Sequence, residues 1–164
     1  MKLRSLLFVP GDRPDRMEKA LGSGADALIL DLEDAVALSA KPEARLAVAD
    51  FVAREAGGPA IFVRLNPLDT DLVDDDLTAL APVTPYGYVL PKSIDGASVA
   101  ELAQRLTALG NRTSRILAIA TEVPQALFGL GSYGGVSDRL IGLSWGAEDL
   151  PAAIGATSAR EADG

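Results

Sequence analysis

At 164 residues, with 48% hydrophobic and 23% charged side chains, the chain has the make-up of one globular domain with a real core. Its net charge of −8 argues against binding a phosphate backbone, so nucleic acid is not an expected partner. With no cysteine and no histidine, it offers no disulfide, no thiolate or imidazole metal site and no Ser-His-Asp triad.

Leu3 to Val9 reads as a first strand, with Leu6 to Val9 buried and Pro10-Gly11 stopping it. Its apolar run is too short for a signal peptide or a membrane span, and a cytoplasmic protein is expected. Asp12 is placed to cap a helix from Pro14 to Leu21, which Gly22 and Gly24 end. Ala27 to Asp31 is a continuous apolar strand that runs into three carboxylates, Asp31, Glu33 and Asp34. Clustered acids at the end of a buried strand are costly unless a metal ion or a cationic partner sits there.

Lys41 to Ala56 follows as a helix, with Ala44, Val48, Phe51 and Val52 on one face. Ala60 to Leu65 is a third strand, ending in Arg64 and then Asn66-Pro67. The five aspartates between Asp69 and Asp76 read as a solvated loop leading into a short helix that ends at Leu80. Gly87 to Leu90 is a fourth strand, closed by Pro91-Lys92, before a helix from Ala97 to Leu109 with Val99, Leu102, Leu106 and Leu109 inward. Arg115 to Thr121 is a fifth strand ending in Glu122, and Pro124 to Leu130 is helical. A sixth strand, Arg139 to Trp145, ends in Gly146-Ala147-Glu148-Asp149, and Leu150 to Ile154 begins another helix.

Six alternations of apolar strand and helix predict a parallel sheet covered by helices. No G-x-G-x-x-G or P-loop follows any strand, so a nucleotide-binding sheet has no support. Polar residues recur at strand ends, and a (β/α)8 TIM barrel gathers such ends around one mouth. A barrel of this kind runs to about 250 residues, so the expected fold is a single barrel domain cut after about its sixth strand. That reads as a truncated product, a proteolytic fragment, or a chain whose edges an oligomer covers. Any metal at the mouth must be held by carboxylates, carbonyls and water, which favours Mg2+ or Mn2+.

The segments RSLLFVPGDRPDRMEKA, ADALILDLEDAV with Lys41 and Arg45 after it, VRLNP, VLPK, TEVPQAL and GLSWGAEDL resemble, in order and spacing, the citrate lyase beta subunit (CitE-like) or HpcH/HpaI aldolase family. The resemblance implies a TIM barrel of the phosphoenolpyruvate/pyruvate type, a homotrimer or hexamer, with one Mg2+ at its mouth. It also implies cleavage of a 3-hydroxyacyl-CoA, such as citryl-CoA or malyl-CoA, into an acyl-CoA and a 2-keto acid. By the same resemblance Glu122 and Asp149 are the metal ligands, and Glu33 and Asp34 orient the metal's waters. Arg64 is then the group that stabilises an acyl-CoA enolate, its alternative being a salt bridge to Glu33 or Asp34. Helix caps are the alternative for Glu122 and Asp149.

The backbone of Gly146, Ala147 and Glu148 is placed to hold a substrate carboxylate. Arg13, Arg16 and Lys19 are candidates for the phosphates of CoA, against a plainly solvated helix face. Lys92 is expected to line the mouth or pair with an acid. A histidine base, as in the HpaI-type pyruvate aldolases, is ruled out by composition. Two other functions stay open: a Mg2+-dependent thioesterase or aldolase on a free keto acid, and an inactive barrel that only binds metal or assembles.

Overall fold

A computed structural model of the protein describes residues 2–55 and 57–160. Six parallel strands, β1 (Leu6–Pro10), β2 (Ala27–Asp31), β3 (Ala60–Arg64), β4 (Gly87–Leu90), β5 (Arg115–Ile119) and β6 (Leu140–Ser144), pair in sequence order into one sheet. Between them run α1 (Pro14–Leu21), α2 (Lys41–Arg54), α3 (Leu72–Leu80), α4 (Gly96–Ala108) and the single turn α5 (Ala126–Gly129), and α6 (Asp149–Ala153) follows β6. This is the strand-helix order of a TIM barrel carried through six units, with the sheet not closed.

Side chains alternate across each strand and divide the core in two. Leu28 and Leu30 of β2 point outward into the layer shared with the helices, alongside Met17, Val48, Phe51, Tyr88 and Leu102. Ala27 and Ile29 point to the concave face, with Ala60 and Phe62 of β3, Val89 of β4 and Ile119 of β5. Gly87 is small because the Phe62 ring crosses it: a Cβ there would lie 2.6 Å from Phe62 Cε1 and 2.9 Å from the Arg115 carbonyl oxygen. Continuing the same alternation puts Asp31 and Arg64, paired in register across β2 and β3, at the top of the concave face.

Strand β1 starts later than expected, at Leu6, and its Leu7 and Phe8 are 39% and 48% exposed rather than buried, because β1 pairs on one side only. The same holds for Ile141 and Leu143 of the opposite edge, β6. Helix α1 is entered through Arg13 with no side-chain cap, so Asp12 does not serve there. Helix α4 is capped instead by Asp95, whose carboxylate accepts from the Ser98 N–H at 3.0 Å. Leu109 lies beyond the end of α4 and is exposed, not inward. Helix α2 ends at Arg54, and the expected last residue, Ala56, lies outside the described residues.

The aspartate-rich run corrects the sequence reading most sharply. Helix α3 begins at Leu72, and Asp76 is fully buried rather than solvated. Its carboxylate accepts from Arg45 Nε (2.7 Å), the Asn66 N–H (2.8 Å) and Asn66 Nδ2 (2.8 Å). Lys41, also buried, donates to the carbonyls of Leu32 (2.6 Å) and Glu33 (2.8 Å) and to Asn66 Oδ1 (2.8 Å). All three ammonium protons are thus directed at acceptors, which is what allows a lysine to be buried. The network ties α2 and α3 to the backbone that follows β2, and so fixes the segment that carries Glu33 and Asp34.

Candidate active site

Asp31 ends β2 saturated. Its carboxylate accepts from the N–H groups of Glu33 (2.8 Å) and Ala35 (3.1 Å), and receives Arg64 in a fork, Nε at 2.7 Å and Nη2 at 2.6 Å. Such bidentate pairing fixes the guanidinium plane. Arg64 Nη1 also lies 2.9 Å from Glu33 Oε2, and the guanidinium stacks 5.0 Å from the Phe8 ring centroid. These contacts hold Arg64 firmly protonated, against the cost of its burial.

Glu33 is buried between Arg64 and Lys92. Its Oε1 is bonded by the Lys92 ammonium, whereas Oε2, for all its closeness to Arg64, lacks an aligned hydrogen bond. Burial pushes its pKa up although Lys92 and Arg64 oppose it. Asp34 is exposed one residue on, its Oδ2 3.6 Å from the same ammonium.

On the far side, Glu122 follows β5 and is buried; its Oε2 accepts the Lys92 N–H at 2.6 Å. Burial, with Glu33 and Asp149 nearby, pushes its pKa up to about 7. A carboxylate placed so is short of positive charge. Asp149, opening α6, lies 3.9 Å from Lys92 Nζ. Gly146 is what lets the two acid-bearing loops meet: a Cβ there would collide with the Glu122 side chain and come within 3.1 Å of Ile119 Cγ2.

These groups converge on a pocket of about 290 Å3 lined by Phe8, Asp34, Arg64, Glu122, residues 145–148 and Asp149. Glu33 supports it from behind. Two expectations take a different form. The Gly146 N–H donates to Thr121 Oγ1 at 2.8 Å, so it braces the loop, while Ala147 and Glu148 line the pocket. Arg13 is folded onto Asp15 at 3.0 Å, while Arg16 and Lys19 line a separate groove of about 390 Å3 beside the open edge of β1. The structure does not bring these three cations into the pocket.

Sequence reasoning missed the structural parts of Lys41 and Asp76; for Lys92 it expected a place at the mouth or a pairing with an acid, and the structure pairs it with Glu33. The signal for the first two was a basic pair, Lys41 and Arg45, one turn apart on the apolar side of α2. Among the described residues, no group of three or more acids is spaced to chelate an ion unaided. An ion here would need water or ligand oxygens to complete its shell, and an all-oxygen, anionic donor set suits Mg2+. The residues present fit that ion.

The family model for HpcH/HpaI aldolase/citrate lyase matches residues 4–163. The chain belongs to that family. A citrate lyase subunit beta-like protein of Mycobacterium tuberculosis is 40% identical over 158 residues, covering 96% of this chain and 52% of that protein. A (3S)-malyl-CoA thioesterase of Cereibacter sphaeroides is 32% identical over 153 residues, 93% of this chain and 51% of the relative. Among solved structures, the M. tuberculosis citrate lyase beta subunit complexed with oxaloacetate and magnesium aligns with a TM-score of 0.80 at 37% identity, covering 97% of this chain and 65% of that one. The chain thus spans about half the length of the curated relatives it matches.

Proposed function

We propose that the mouth is the active site of a Mg2+-dependent carbon–carbon lyase, Mn2+ being an acceptable substitute, that splits a 3-hydroxyacyl-CoA into an acyl-CoA and a 2-keto acid. The observation that carries this reading is the convergence of Glu122, Asp149 and the Arg64 guanidinium on one pocket at the strands' carboxyl ends. Glu122 and Asp149 would hold the ion, which when bound supplies a Lewis acid for the keto-acid oxygens. Glu33 and Asp34 would orient the water that completes the ion's shell.

In cleavage the substrate hydroxyl gives its proton to water, and its oxygen becomes the keto-acid carbonyl as the C–C bond breaks. The electron pair of that bond passes to the acyl-CoA fragment as an enolate, which takes a proton back from water to leave as acyl-CoA. Arg64 faces that developing charge. Asp31 takes its Nε and Nη2 donors, so the guanidinium is already oriented when charge appears. The N–H groups of Ala147 and Glu148 receive the keto-acid carboxylate. Arg16 and Lys19, with Arg13 once released from Asp15, contact CoA phosphates at the flank. A homotrimer or hexamer is the assembly that the family resemblance favours.

Calorimetry of oxaloacetate binding tests the reading. Binding should require Mg2+ in the wild type and disappear in Asp149→Ala; binding that ignores both overturns it. The malyl-CoA thioesterase among the relatives favours a second reading, hydrolysis of the thioester at the same site. Product analysis separates the two: lyase chemistry releases acyl-CoA, thioesterase chemistry releases free CoA.

A further inference from the structure

Lys92 has no part in the chemistry above, yet both its backbone and its side chain are constrained at the mouth. It follows β4 and Pro91 with φ at +49°, the one non-glycine residue in a left-handed conformation among those described. Lysine pays a steric cost there that glycine would not. Its peptide N–H donates to Glu122 at 2.6 Å, and its ammonium is bonded to Glu33 and lies 3.6 Å from Asp34 and 3.9 Å from Asp149. A single residue thus touches four carboxylates brought from three other strands.

Resting on the Mg2+ reading of this site, we propose that Lys92 is a positioning residue and a built-in counter-cation. Its ammonium holds Glu33, Asp34 and Asp149 together while no divalent ion is bound, and gives up Asp149 when one binds. Two observations and the chemistry of the ammonium support this. Asp31 already occupies two donors of Arg64 and Glu33 shares the third, so Asp34 and Asp149 have Lys92 as their compensating charge and Glu33 divides it with Arg64. The ammonium is graded in its contacts, bonded to Glu33 but only near Asp149, so it can release the second without losing the first. A compact charge on a flexible stem suits such a shift, where a guanidinium fork would lock onto one partner. The peptide N–H is independent of that shift and keeps Glu122 aimed at the pocket throughout.

The test compares wild type, Lys92→Gly, Lys92→Met and Lys92→Arg by thermal denaturation with and without Mg2+ and by calorimetric Mg2+ titration. Glycine keeps the left-handed backbone and the N–H to Glu122 while removing the ammonium; methionine keeps the stem and covers the case where glycine loosens the loop. Without Mg2+ both should melt below wild type, and saturating Mg2+ should close the gap. Mg2+ should bind about tenfold more tightly to both, since a positive charge no longer competes for the acids. Lys92→Arg should restore the metal-free melting temperature. A variant that folds only in Mg2+ is the same result at its extreme. A gap that stays equal with and without Mg2+, at unchanged affinity, would mark an ordinary salt bridge and overturn the proposal. A wild type that shows no Mg2+ effect at all overturns the reading of the site, and this inference with it.

Discussion

Carboxylates at the two ends of this sheet live under opposite regimes. At the amino ends, half-buried Asp26, just ahead of β2, accepts from the Arg4 N–H (2.8 Å), Arg4 Nε (3.0 Å), Arg4 Nη2 (2.9 Å) and the Ser5 N–H (3.3 Å). Arg4 holds its carboxyl well below the usual carboxylate range. At the carboxyl ends, burial drives Glu33 upward and Glu122 to about 7. One end uses its acid to fasten the chain; the other keeps its acids crowded and short of partners. Barrels of this class separate stability from chemistry in the same way, with the site at the carboxyl face.

The contrast is not simply between two ends, because the carboxyl end has its own foundation. Behind Glu33 and Asp34, the network of Lys41, Asn66, Asp76 and Arg45 is closed. Breaking it should produce the largest effect. In Asp76→Ala, Arg45 loses its buried partner and Asn66 the acceptor of two hydrogen bonds, a loss of about 3–5 kcal/mol in urea denaturation, as for one-sided removal of a buried pair. A loss under about 1 kcal/mol, the size of an exposed pair, would show that the network is hydrated and that the carboxyl end has no dry foundation.

Gly146→Ala comes next and acts on the other flank of the mouth. The added methyl would meet the Glu122 side chain and Ile119 Cγ2. Overpacking of this kind costs about 1–3 kcal/mol, and the side chain that must give way is the proposed metal ligand. Mg2+-dependent oxaloacetate binding should therefore be lost in calorimetry while the protein stays folded by circular dichroism. Retained binding would mean that the loop after β6 can shift without disturbing Glu122.

Both predictions turn on residues whose importance the sequence displayed unevenly. The strands were legible because each is a short apolar run, most of them set off by a nearby glycine or proline, and the acids at their ends stood out against that background. Asp76 was hidden. It is one of five aspartates in a polar run, and what buries it is Arg45, 31 residues earlier and on another helix. Nothing local marks one member of such a run as the buried one. Lys92 was half legible: its Pro-Lys pair at a strand end pointed to the mouth and to an acid partner, but neither its left-handed backbone nor the particular acids it reaches are properties of neighbouring residues. Exposure of Leu7, Phe8, Ile141 and Leu143 was equally illegible, since apolar strands look alike at the edge and the centre of a sheet.

The smallest effect is expected at the amino ends, and there it takes the form of a pH dependence. In the unfolded chain the Asp26 carboxyl titrates near an ordinary aspartate value, about 3.9, whereas in the folded protein Arg4 holds it lower. A depressed folded value means that the ionised carboxylate favours the folded state. The contribution is complete above about pH 5, begins to fall as the unfolded carboxyl titrates, and is lost as the pH falls through the folded value. Asp26→Asn keeps the shape of the side chain and removes its charge. The gap in urea midpoint between wild type and variant should accordingly be constant from pH 7 down to about pH 5 and narrow below that. Measuring the gap rather than the wild-type curve cancels the other carboxylates, which protonate alike in both proteins. A gap that persisted unchanged into strong acid would show that Asp26 works through its neutral hydrogen bonds, and an asparagine could then serve the amino end as well as an acid does.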